Sequence, residues 1–111
     1  MIVTSIAHYF ETLPERFIPS GAKGLKATFQ FELAGEQGGT WHVTVDDGTM
    51  AIHEGAAAGT PSATIKMKAL DYIKMVNGEL SGTMAFMKGQ MKITGNMMMA
   101  QKMQNIFPPN K

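Results

Sequence analysis

His42 and His53 are the side chains in this chain whose type and spacing come closest to a chemical site. Asp47-Gly48 between them is a two-residue turn signal, and a turn there sets the two imidazoles opposite each other on neighbouring strands. The register expected of the preceding hairpin adds Glu32 beside His42. Two imidazoles and a carboxylate in a row offer nitrogen and oxygen ligands to a divalent metal. The row would be flat, exposed and without supporting groups, so it reads as a solvated cross-strand row and no metal is assigned to it. Ser5, Ser20, Ser62 and Ser81 stand outside any nucleophile-elbow pattern, and Gly35 to Gly39 is a hairpin loop rather than a phosphate cradle. The chain has no cysteine, which excludes thiol catalysis, a disulfide framework and a Cys-ligated metal. No catalytic residue and no cofactor are predicted.

The elements that carry these residues are legible from hydrophobic periodicity. Ile2, Ile6, Tyr9, Phe10 and Leu13 recur at steps of three and four, which predicts an amphipathic helix ended by Pro14. Pro19, Gly21 and Gly24 mark a loop. From Leu25 the period becomes two: Leu25, Ala27, Phe29, Phe31 and Leu33 alternate with polar residues in a first strand. Trp41, Val43 and Val45 make a second strand, and Met50 and Ile52 a third after Asp47-Gly48. Ala63, Ile65 and Met67 alternate with Thr64, Lys66 and Lys68, and Met91 with Ile93 does the same later. Each strand has one polar face, so one side of the sheet is wet and the other must be covered.

Helices supply the cover. Leu70, Ile73 and Val76 form a short stripe ending at Gly78, and Ser81 caps a second helix running through Met84 and Met87 to Gly89. Asn96 caps a last helix whose stripe is Met99, Met103, Ile106 and Phe107. The whole of residues 1–111 is thus expected to be one two-layer α+β domain.

With 44% hydrophobic and 17% charged residues the composition is that of a globular chain. No secretory leader or membrane-length apolar run is visible, and the expected location is the cytoplasm. Pro109-Asn110-Lys111 is not a peroxisomal address. Charge is split: residues 1 to 60 carry three basic against seven acidic side chains, and residues 61 to 111 carry seven lysines against two acids. The lysines are not interleaved with aromatic residues, which argues against nucleic-acid binding.

The basic half is also the methionine-rich half. The stretch GNMMMAQKMQNIF, Gly95 to Phe107, holds four of the chain's eleven methionines. Met97 and Met98 fall outside the apolar stripe of that helix, among Gln101, Lys102, Gln104 and Asn105. Methionine is flexible and polarizable, suited to walls that adjust rather than to a uniquely packed core.

Seven stretches, in order, resemble the sterol carrier protein type-2 family: Leu13-Pro14-Glu15-Arg16-Phe17, Ala27 to Leu33, Gly39-Thr40-Trp41-His42-Val43, Ile52-His53-Glu54-Gly55, Asn77-Gly78-Glu79-Leu80, Ala85-Phe86-Met87-Lys88-Gly89 and Met91 to Asn96. The resemblance covers almost the whole chain. It implies a five-stranded, largely antiparallel sheet with helices on one face and a hydrophobic tunnel between the layers. It also implies non-enzymatic binding, and in many members transfer, of fatty acids, fatty acyl-CoA, phospholipids or sterols.

The tunnel wall is expected from the dry sheet face and from the helices facing it. The sheet would contribute Phe29, Phe31, Trp41 and Met50, and from the later strands Ile65, Met67, Met91 and Ile93. The helices would contribute Ile73, Met84, Met87, Met99, Met103 and Phe107. Each buried methylene of a ligand contributes roughly 0.8 kcal/mol, so ten supply about 8 kcal/mol before entropic costs and no specific polar contact is required. Lys74, Lys88, Lys92 and Lys102 lie on or beside the Met-bearing elements, which suggests transient docking on an anionic membrane with the last helix as a movable lid. The alternative is an accessory domain presenting an apolar surface to a partner that metabolises a lipid or quinone.

Overall fold

The computed structural model describes residues 4–35 and 38–107, the side chains of Gln104 and Asn105 excepted. Ile2, placed in the first helix by its spacing, Glu36 and Gln37 of the hairpin loop, and the C-terminal tripeptide lie outside the described residues.

The chain runs α1 (Ile6–Arg16), a 3-10 turn (Pro19–Ala22), β1 (Lys26–Ala34), β2 (Gly39–Asp46), β3 (Thr49–Glu54), β4 (Ala63–Lys68), α2 (Ala69–Val76), α3 (Gly82–Met87), β5 (Met91–Gly95) and α4 (Met97–Ile106). Its five strands form one mixed sheet in the order β3-β2-β1-β4-β5. Three of the four pairings are antiparallel, and β1 with β4 is parallel.

The two hairpins follow from local chemistry. Asp47 (φ 44°) and Gly48 (φ 86°) both take positive φ, which a type I′ turn requires and which Asp-Gly accommodates. That turn fixes Val43 opposite Ile52 and Val45 opposite Met50 on the dry face. The segment 55–62 then crosses the wet face to start β4 beside β1. Ala57 N–H donates to Gln30 Oε1 (3.0 Å), and Ser62 N–H donates to the Thr28 carbonyl (2.8 Å) while its hydroxyl accepts from Thr28 N–H (3.0 Å). The wet face is therefore partly covered, and Gln30 and Thr64, read as solvent-facing, are buried with their polar groups engaged or close to this crossing.

The helices depart from the expected pattern at three places. Pro14 does not end α1. It removes one backbone donor near the C-terminus, but Phe17 N–H still closes on the Leu13 carbonyl at 3.1 Å, so the helix continues to Arg16. In α2 the buried face is Ala69, Tyr72 and Val76, and Leu70 is 63% exposed. Two stripes that share Val76 compete in this short helix, and the ring of Tyr72 wins because it makes edge-to-face contacts with Tyr9 (5.1 Å) and Phe31 (5.8 Å). In α3 the Ser81 cap forms as expected, accepting from Met84 N–H at 3.3 Å, but Ala85 alone is buried and Met84 and Met87 face outward.

At the other end of the domain, Asn96 Oδ1 accepts from Met98 N–H (3.0 Å) and Met99 N–H (3.2 Å) and starts α4. Gly95 before it has φ 91°, and a Cβ there would lie 2.6 Å from the Ser62 carbonyl oxygen, so only glycine fits. Among the described residues no helix is long and apolar enough to cross a membrane.

Candidate functional site

The dry face of the sheet is covered in two different ways. Over β1 and β2, α1 packs aromatic rings: Phe10 stacks on Trp41 with centroids 4.5 Å apart and meets Phe31 edge-on at 5.4 Å. That half is filled. Over β4 and β5 the cover comes from α2, α3 and α4, and a cavity of about 520 Å³ remains between them. A volume of this size lies within the range of small-molecule sites.

The floor of the cavity is Ile65 on β4 with Met91 and Ile93 on β5. Met75 and Val76 of α2, Leu80, and Met97, Ala100, Met103 and Phe107 at the end of the chain close its apolar walls. Ser81, Thr83, Phe86 and Gln101 are exposed cavity residues and so form its mouth. Tyr9 and Tyr72 are the buried polar residues of its wall.

Of the residues expected to line a tunnel, Ile65, Met91, Ile93, Met103 and Phe107 are on this wall. Phe29 and Phe31 are buried in the filled part of the core, and Met67, also buried, is on β4 away from this wall. Trp41, Met50, Ile73 and Met99 are half-buried against that core. Met84 and Met87 are on the outside, whereas Met97, read as lying outside the stripe, reaches the cavity. The residues that the sequence reading passed over are Tyr9, Tyr72, Met75, Leu80 and Phe86. Tyr9 was legible as a core position of α1, but nothing in the local pattern distinguished cavity wall from filled core.

The electrostatics of the buried end are set by the two phenols. Burial pushes Tyr9 up to about 12, opposed by its hydroxyl bond with Tyr72 and by the Arg16 guanidinium. Burial also raises Tyr72 well above the ordinary phenol value, and the neighbouring Tyr9 adds to the rise. Both are neutral hydrogen-bonding groups at physiological pH. Arg16 lies over the Tyr9 ring, 5.5 Å from its centroid, and is not on the cavity wall.

The histidine row is built differently from the expectation. His42 and His53 do face each other and their rings stack at 4.8 Å, but the register sets Gln30 opposite His42 and Glu32 opposite Thr40. Glu32 instead pairs with Lys66 at 3.6 Å. The carboxylate lies two residues along the strand from that place, because β2 starts at Gly39 and the hairpin is centred one residue earlier than the expected register. His42 Nδ1–H donates to the Gly55 carbonyl at 2.8 Å, tying the ring to the crossing segment. Among the described residues no three His, Asp or Glu side chains come together as a metal set.

An apolar cavity between sheet and helices, with two neutral phenols on its wall and an open mouth, has the form of a site for an apolar small molecule. Comparison with known proteins agrees with the site. Residues 10–108 match the SCP-2 sterol transfer family. Hydroxysteroid dehydrogenase-like protein 2 of Bos taurus is 39% identical over 85 residues, which are 77% of this chain and 20% of that protein. The Homo sapiens protein of the same name is 31% identical over 103 residues, 93% of this chain and 25% of that protein. The chain thus spans a fifth to a quarter of the length of these curated relatives. Palmitated SCP2L2 from Aedes aegypti has the same fold, with a TM-score of 0.75 and 20% identity over 96% of this chain and 97% of that one. The sec-alkylsulfatase Pisa1 from Pseudomonas sp. contains it as well, with a TM-score of 0.78 and 16% identity over 97% of this chain and 17% of that one. The chain belongs to the SCP-2 sterol transfer family, a family of lipid-binding domains.

Proposed function

We propose that residues 1–111 act as one non-catalytic lipid-binding domain in the cytoplasm, holding a single fatty acid, fatty acyl-CoA, phospholipid or sterol-like molecule in the cavity over β4 and β5. The observation that carries this reading is the cavity itself, about 520 Å³ of space walled by apolar side chains in a chain of only 111 residues. Four of its wall residues, Met75, Met91, Met97 and Met103, are methionines, whose flexibility suits ligands of more than one shape. Exchange takes place at an anionic membrane. Exposed Met84, Met87, Met97 and Met98 lie on the two helices beside the mouth, and Lys88 and Lys102 are exposed on or next to the same helices.

A second reading is favoured by the length of the relatives, in which a matching segment is part of a longer protein. On that reading the outward methionines seat a lipid- or quinone-metabolising partner to which the domain presents its ligand. Native mass spectrometry of the freshly purified protein, with extraction of anything bound and a subsequent uptake assay with added fatty acid and sterol, tests the first reading. Near one-to-one occupancy is expected. A chain that is empty and takes up neither probe overturns it.

A further inference from the structure

The cavity wall is mostly apolar, and two of its buried residues are not. Tyr9 of α1 and Tyr72 of α2 both line it with only 3% and 1% of their surface exposed. Their rings meet edge to face, 5.1 Å apart and inclined at 85°, and Phe10 and Phe31 brace them from behind at 5.1 and 5.8 Å. The two hydroxyls interact with each other. Two phenols hold two O–H donors, and the bond between them uses one. The other O–H and the remaining lone pairs are what the pair can offer a ligand on an otherwise largely apolar wall. The remaining polar side chains of the wall, Ser81, Thr83 and Gln101, are exposed residues of the mouth.

We propose that Tyr9 and Tyr72 are an internal anchor for one uncharged oxygen at the leading end of the ligand, so that the cavity selects alcohols with a long apolar body and seats them hydroxyl inward. This rests on the lipid-binding reading above and adds the ligand's end group and its direction. A hydroxyl can accept from the free phenol O–H and donate to a phenol oxygen, completing the small network. A hydrocarbon end leaves a buried donor unpaired. A carboxylate brought to the same place loses its hydration against two neutral phenols, and burial there opposes negative charge by more than the Arg16 guanidinium, which is off the wall, favours it. A fatty acid is therefore held with its carboxylate at the mouth.

The test is displacement of a bound fluorescent fatty acid by 1-tetradecanol and by pentadecane, in which a methyl group replaces the hydroxyl. Each is measured on the wild type and on Tyr9→Phe and Tyr72→Phe. Losing one hydrogen bond in a closed site weakens the alcohol by about tenfold in either variant, while the alkane is unchanged or slightly tighter. Equal changes for alcohol and alkane overturn the anchor. Should either variant fail to fold, the wild type still decides. The chain's two tyrosines are these two, so the alcohol must perturb the tyrosine absorption band where the alkane does not, and the absence of that difference overturns the proposal. A wild type that binds the fluorescent probe but shows no alcohol-specific effect refutes the anchor alone. A wild type that binds no probe refutes the lipid-binding reading and the anchor with it.

Discussion

Raising the pH to the alkaline limit turns the tyrosine pair into a reporter of whether the inner end of the cavity is dry. Both tyrosines of the chain belong to the pair, so phenolate absorbance is specific to this site. An unfolded chain ionises its phenols near pH 10. In the fold Tyr9 is pushed up to about 12 and Tyr72 moves in the same direction, both chiefly by burial. Below about pH 10 native and unfolded chains both hold these protons and stability is insensitive to them. Between 10 and about 12 the unfolded chain releases the Tyr9 proton while the native chain keeps it, so unfolding gains on folding as pH rises. Two units of pKa correspond to about 3 kcal/mol for Tyr9, a large part of the roughly 5–15 kcal/mol that a domain has.

The assay is denaturant unfolding at about pH 9 and about pH 11.5 for wild type and Tyr9→Phe, with phenolate absorbance recorded in parallel. Comparison with the variant removes every contribution that the two proteins share. The stability difference between wild type and variant should fall by about 2 kcal/mol between these two pH values, and phenolate should appear together with loss of structure. Reversible phenolate formation near pH 10 in a chain that keeps its far-ultraviolet dichroism would refute the reasoning, because it would mean that the phenols are hydrated.

Two further outcomes bear on the cavity and its mouth. Met103→Trp puts a larger, stiffer side chain on the cavity wall, and lipid uptake should be lost while the melting temperature changes by only a few degrees; retained uptake would show that the ligand lies elsewhere. Met87 and Met98 are 74% and 70% exposed, and Met87→Asp with Met98→Asp should weaken sedimentation with anionic vesicles severalfold, each nearby lysine otherwise contributing about 1 kcal/mol; equal binding of neutral and anionic vesicles by the wild type would refute membrane docking.

What the sequence made legible is what backbone geometry enforces. A strand's side chains alternate without exception, so the dry set Ala27, Phe29, Phe31, Leu33 and the set Val43, Val45 could be read from period alone. Turn and cap positions were equally plain, because Asp47-Gly48, Ser81 and Asn96 act through their own backbone neighbours. Helix faces were less so. Over eight residues α2 offers Leu70, Ile73 and Val76 or Ala69, Tyr72 and Val76, and the choice depends on Tyr9 and Phe31, which are distant in sequence. Reading by hydrophobicity favoured leucine over tyrosine and so overlooked the one residue that joins α1, the sheet and the cavity.

The place of the cavity was not legible at all, since a dry face says what is out of water and not what touches it. The sheet order supplies the missing cause. With β1 central, α1 brings Phe10 onto Phe31 and Trp41 and fills the β1–β2 half with rings that have few conformations. The β4–β5 half receives instead the short α3, with Ala85 as its buried side chain and Phe86 turned to the mouth, and the methionine-bearing α4. With Ala85 its one buried side chain, α3 is the element that local opening is expected to release first. On the proposed lipid-binding reading, the half filled with rings holds the phenols in place, and the half covered by α3 and α4 is the side on which a ligand enters.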